Sequence, residues 1–328
     1  EYDALITQYL GNYLDSTQDV LIANSDGLWV EDRRLRTRMN VSAVATSGTE
    51  KQTGMGDLAG LKGYDLYDGV NVREIGANAA ATAVTMLKAD LCPSGKLPVI
   101  IGNAFGGVIF HEACGHILEA TSVAKNASVF CGKMGQKIAG DKVTAIDDAT
   151  MPGEWGSINI DDEGHAAQRN VLIKDGILTS YLIDKLNGLR MNEKSTGSGR
   201  RESYRFAPTS RMSNTYIAAG NDTFDGMVGS IDNGIYCKKM GGGSVTPGTG
   251  EFNFAVLEAY MIRNGKLAEP VRGATLIGKG HEILTNITHV GNDMTMAAGM
   301  CGSMSGAVPT NVGQPHILVS EILVGGRK

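Results

Sequence analysis

The segment His111-Glu112-Ala113-Cys114-Gly115-His116 constrains this chain more than any other. Side chains on a regular α-helix advance by about 100° per residue. Phe110, Ala113, Cys114, Ile117 and Leu118 then share an apolar face, while His111, Glu112, Gly115, His116 and Glu119 share the opposite one. Such a helix buries its first face and leaves two imidazoles and two carboxylates on the second. Two histidines bracketing a glutamate point to a metal centre, because imidazole is a common metal ligand and an adjacent carboxylate can act as general base. The usual His-Glu-x-x-His pattern sets its ligands at i and i+4, nearly one turn apart. Here the interval is five residues, and on an ideal helix the two imidazoles diverge by about 140°. Both can face one ion only where the helix widens into a π-type turn or breaks. Gly115, inside the interval, eases that distortion. The spacing therefore predicts an irregular turn across residues 111–116.

Two imidazoles do not complete such a site. Catalytic zinc takes three protein ligands and keeps one position open. The candidates for the third are Glu119, the remaining histidines and a distant cysteine, and spacing does not choose among them. Glu112 is the expected catalytic carboxylate. Glu119 is read either as a carboxylate orienting an imidazole or as a solvated side chain. Arg200 and Arg201, beside a Gly-rich turn, are candidates for contact with a peptide backbone or carboxylate. Gly242 and Gly243 lie in a Gly-Gly-Gly run that lacks the Lys-Ser/Thr of a phosphate loop, which leaves a sheet edge approached by substrate as the functional reading. Asp161-Asp162-Glu163 lacks the order of a calcium loop and reads as capping or loop chemistry.

The remaining composition narrows the class. The 328 residues, 42% hydrophobic, can bury a large core. A net charge of -5 carries no basic footprint, so nucleic acid is not expected as a partner. No apolar run approaches the roughly 20 residues of a membrane span, so no membrane partner is expected. No charged-then-apolar leader opens the chain, and a start on Glu1 suggests processing or a beginning inside a longer protein. The five cysteines, Cys92, Cys114, Cys131, Cys237 and Cys301, form no CxxC pair, which argues for a reducing, cytoplasmic compartment.

Along the chain, residues 3–14 read as an amphipathic helix, 20–24 and 28–30 as strands joined at Ser25-Asp26-Gly27, and 36–46 as a further strand. Residues 47–63 read as a Gly-rich loop, 71–89 as an Ala-rich helix, and 97–101 as a buried strand. Later strands are expected at 157–160, 170–174, 177–182, 236–244, 252–263, 266–272 and 314–324, with Asp175-Gly176 and Asn264-Gly265 as hairpin turns. The fold class is α+β, a large mixed, mostly antiparallel sheet with a metal-bearing helix carrying a π-like turn.

The segment from His111 to Glu119 resembles the HExxxH helix of the TldD branch of TldD/PmbA metallopeptidases. The likeness continues through Asp161-Asp162-Glu163-Gly164, Gly199-Arg200-Arg201-Glu202-Ser203-Tyr204, Gly241-Gly242-Gly243, Glu258-Ala259-Tyr260, Val290-Gly291-Asn292-Asp293 and Cys301-Gly302. It implies a catalytic domain over 91–328 and, over 1–90, the remainder of an N-terminal or junction region. It further implies zinc held by His111, His116 and Cys301, with Glu112 as catalytic carboxylate. Its expected substrates are small or unfolded peptides, and its expected assembly is a homodimer or a heterodimer with a PmbA-like subunit. The alternative is a non-catalytic, zinc-containing binding or scaffold subunit of such a heterodimer.

Overall fold

A computed structural model describes residues 2–246 and 250–326. Its first unit is an antiparallel meander of Ile6–Ala23, Trp29–Ser47 and Glu50–Gly60, paired in sequence order. The turn at Ser25-Asp26-Gly27 forms as expected. Asn24 Oδ1 accepts the Asp26 and Leu28 amides, and Gly27 takes a φ of +85°.

Two expectations fail in this region. Most of residues 3–14 are strand, not helix. Leu10, Tyr13 and Leu14 recur at helical spacing, but these side chains are exposed, and a strand with neither face buried need not alternate. Most of residues 47–63 is likewise strand, not loop. The glycines there admit a neighbour: a Cβ on Gly54 would lie 1.9 Å from the Ala79 carbonyl oxygen. That close approach seats the helix Val72–Lys88 on the meander, where Ala43, Ala45, Ala79, Ala80 and Ala83 fill the interface.

The rest of the chain forms two larger sheets. In the first, Asn233–Thr246 pairs in parallel with Gly95–Ile101 and antiparallel with Glu251–Arg263. Thr275–Lys279 and Ile317–Gly325 bridge the other sides of those two strands, so the five close into a ring. The Asn264-Gly265 turn, with φ of 50° and 72°, joins Glu251–Arg263 to Lys266–Arg272. The second sheet runs Thr295–Ser303, Gly306–Gln314, Asn214–Ile217, Ala145–Asp148, Arg169–Lys174 and Ile177–Leu178. All its pairs are antiparallel except Asn214–Ile217 with Gly306–Gln314. Residues 157–160 contribute only an isolated bridge from Ile160 to Ala166, rather than the expected strand.

Both sheets share one apolar core with the histidine segment. Val99, Ile101, Ile235 and Cys237 of the ring and Leu172, Ile173, Ile217 and Val312 of the second sheet meet Phe110, Ala113, Cys114, Ile117 and Leu118 there. The helix face read from sequence as apolar is buried, and so are His111, Gly115 and Glu119 of the face read as opposite. The meander is fastened alongside by buried arginines. Arg34 pairs with Asp162 at 2.9 Å, and Arg36 donates to the Trp155 and Ser157 carbonyls. Among the described residues no helix is long and apolar enough to cross a membrane.

Candidate metal centre

The histidine segment is irregular in the way the spacing requires. Val108–Phe110 is α-helical, His111–Gly115 is a π-turn, and His116–Leu118 closes as 3-10 helix. The widened turn brings the two imidazoles around to one side, with ring centroids 5.1 Å apart and planes nearly perpendicular. Gly115 fits because a larger residue would displace Met212: a Cβ there would lie 2.2 Å from Met212 Sδ.

Cys301, on the strand Thr295–Ser303, faces the same point. Its Sγ is 3.3 Å from His111 Nε2 and 3.3 Å from His116 Nε2. The three donors lie within 4.8 Å of one another. A tetrahedral ion with Zn–S of about 2.3 Å and Zn–N of about 2.0–2.1 Å separates sulfur from nitrogen by about 3.6 Å. The observed sulfur–nitrogen distances are close to that edge, and one thiolate with two imidazoles is a donor set that favours zinc over magnesium or calcium. Among the described residues His111 Nδ1 is buried without a hydrogen-bond partner, while His116 Nδ1 meets Glu119 Oε2 at 3.2 Å.

The two imidazoles differ electrically. Burial, then His116 and Arg211, push the His111 pKa well below that of an ordinary imidazole, which keeps the ring neutral with a free lone pair. Burial also works against charge on His116. The Glu119 carboxylate and Cys301 override it and hold that pKa well above the ordinary value. Glu112 stands at the open side: its carboxylate is one-third exposed, and Oε2 lies 3.7 Å from His116 Nε2.

The structure sorts the other residues singled out from sequence. Glu119 is buried against His116 rather than solvated. Arg200 is buried too, which corrects the expectation that it faces a peptide: its guanidinium is taken up by the Met212 and Pro309 carbonyls. Arg201 donates its backbone amide to Asp162 and its side chain to the Phe206 carbonyl. Gly242 and Gly243 lie on Asn233–Thr246 beside a break in the pairing register. From Lys239 to Thr246 this strand pairs with Glu251–Arg263 on one edge, and among the described residues no strand pairs with the other. Farther along the chain, Gly250 approaches the histidine segment; a Cβ there would lie 3.6 Å from the Ala113 carbonyl oxygen.

Asp161, Glu163 and His165 make a second cluster of metal-type donors. Asp161 already spends both oxygens on backbone amides, those of Glu163, His165 and Gly199, as a loop-forming carboxylate does. Sequence reading passed over Arg211 and Met212, which touch the Cys301 strand and Gly115 respectively. No spacing distinguishes a buried arginine from a solvated one, so the sequence carries no signal for this pair.

A family model described as the PmbA/TldA metallopeptidase C-terminal domain matches residues 94–326, and one described as the central domain of the same peptidases matches residues 1–87. A Haemophilus influenzae protein named as a metalloprotease TldD homolog is 39% identical over 99% of this chain, which spans 69% of that protein's length. A Saccharolobus solfataricus protein named as a zinc metalloprotease TldD homolog is 29% identical over 90% of this chain and 67% of its own length. The crystal structure of TldE from Thermococcus kodakarensis shares the fold, with a TM-score of 0.80 at 22% identity over 96% of this chain and 69% of that one. The chain belongs to the TldD/PmbA family of metallopeptidases.

Proposed function

We propose that the chain is a zinc-dependent peptidase of the catalytic, TldD-like branch, acting on small or unfolded peptides. The observation that carries the reading is the convergence of His111 Nε2, His116 Nε2 and Cys301 Sγ, with the Glu112 carboxylate beside them on the exposed side. These three residues would hold the ion. A bound zinc supplies polarisation of the scissile carbonyl and acidification of a water. Glu112 would take a proton from the attacking water at its carboxylate and give it to the departing amine. Glu119 keeps the His116 ring oriented through Nδ1, so that Nε2 faces the donors.

Substrate would be held mainly through its backbone. The edge of 239–246 that no described strand pairs with offers main-chain groups to an extended peptide, and at Gly242 an added Cβ would meet nothing within 4 Å. A reducing, cytoplasmic setting fits a thiolate ligand, and the fold likeness to a TldE fits a PmbA-like partner. The test is metal content by mass spectrometry together with cleavage of an unstructured peptide, for wild type and Glu112→Gln. The expected outcome is about one zinc per chain in both proteins, with turnover falling by about 10²–10⁴-fold in the variant. Bound zinc without cleavage by the wild type would instead favour the scaffold subunit.

A further inference from the structure

We infer that Arg211 and Met212 are positioning residues that set the separation between the histidine pair and Cys301, an inference that rests on the metal reading above. The two parts of the donor set come from distant elements, 190 residues apart for His111 and Cys301. Thiolate and imidazoles serve one ion only if that gap is held to a few tenths of an ångström.

Two consecutive residues span it. Arg211 is completely buried. One guanidinium nitrogen donates to the carbonyl oxygen of Cys301 itself, and another donates to Ser305 Oγ at 2.8 Å and the Gly306 carbonyl at 3.0 Å. Arg211 therefore grips the cysteine strand at the ligand's own backbone and at the turn that follows. Met212, also fully buried, lays its sulfur against the π-turn at Gly115. The backbone around this pair is anchored in turn. Arg200 holds the Met212 carbonyl, and Asp147 accepts both the amide and the hydroxyl of Ser213 at 2.7 Å.

Packing alone does not explain Arg211. Among the described residues no carboxylate lies within ion-pair distance of it. Burying a guanidinium on neutral acceptors is costly, and an apolar residue would fill the space at lower cost. What arginine alone provides is a rigid fork of donors, here reaching both the Cys301 carbonyl and its turn at once.

The test loads the full chain with cobalt(II) and reads two quantities, the dissociation constant by competition with a chromophoric chelator and the thiolate-to-cobalt charge-transfer band. Arg211→Met should bind cobalt about 10–100-fold more weakly, as expected for loss of a residue supporting a ligand, with a diminished band. Arg211→Lys, which retains one donor, should fall between. Met227→Ala, in a separate core cluster, should keep the wild-type affinity and band despite its loss of thermal stability. A folded Arg211→Met variant with wild-type affinity and band overturns the inference. So does a loss no greater than that of Met227→Ala. If Arg211→Met does not fold, unchanged readouts in Arg211→Lys overturn it equally. Failure of the wild type to bind cobalt or zinc overturns the metal reading instead, which is a distinguishable result.

Discussion

Replacing Gly115 with alanine sets helix propensity against packing at the centre of the site. Gly115 has φ -56° and ψ -50°, ordinary helical values that alanine adopts without strain. On backbone grounds the change should stabilise by about 1 kcal/mol. The new methyl, however, would sit 2.2 Å from Met212 Sδ and 3.1 Å from Cε, where nonbonded contact asks for about 3.5–4.0 Å. Met212 is fully buried, so its thioether can move aside only by displacing its neighbours. Overpacking of this kind costs about 1–3 kcal/mol, and the expected balance is a net loss of about 1 kcal/mol.

Urea unfolding of the metal-free protein measures it, as a lowered midpoint at unchanged slope. Met212→Ala alone should cost about 2–5 kcal/mol. Combined with Gly115→Ala it should cost less than the sum, by about 1 kcal/mol, because the added methyl occupies space the thioether leaves. A full gain of about 1 kcal/mol from Gly115→Ala, with the two changes strictly additive, would refute the close approach as the reason for glycine.

Three further outcomes are expected. Cys301→Ala should purify without zinc and without peptidase activity while keeping the wild-type circular dichroism; stoichiometric zinc in that variant contradicts the ligand assignment. Glu119→Gln should lower zinc affinity by about 10–100-fold, read by chelator competition, and an unchanged affinity removes its orienting role. Asp184 caps the helix Lys185–Met191 and accepts donors from Asn187 and Ser210. Burial pushes its pKa up, but those donors prevail and hold it below the ordinary carboxylate value. Its stabilising contribution is therefore complete above about pH 4 and lost as pH falls through the folded-state value. Asp184→Asn should destabilise by about 1–2 kcal/mol at neutral pH, and the gap should narrow below about pH 4. Urea midpoints across that range test it, and a constant gap contradicts the linkage.

What the sequence revealed depended on whether a local rule matched the local environment. The interval from His111 to His116 is a statement about helix geometry, so it predicted the π-turn without reference to anything distant. The turn signals at Asp26-Gly27, Asp175-Gly176 and Asn264-Gly265 were equally local. Residues 3–14 failed because periodicity reports burial, and a strand exposed on both faces has none to report. Residues 47–63 failed because glycine chosen to admit a helix looks the same as glycine chosen for a turn. The pairing of Cys301 with the histidines was legible through family resemblance alone, since spacing left the third donor open. Arg200 was misplaced, and Arg211 missed, for one reason: most of their partners are backbone carbonyls from other elements, and carbonyls carry no sequence identity.

The distance along the chain between His111 and Cys301 also sets a timetable. During synthesis the π-turn and both imidazoles leave the ribosome long before the thiol does. Cys301 is held beside them by the pairing of Thr295–Ser303 with Gly306–Gln314 and of Gly306–Gln314 with Asn214–Ile217. Contacts so far apart in sequence form late in folding. A nascent or prematurely terminated chain therefore carries the histidine helix without the donor that completes the cluster.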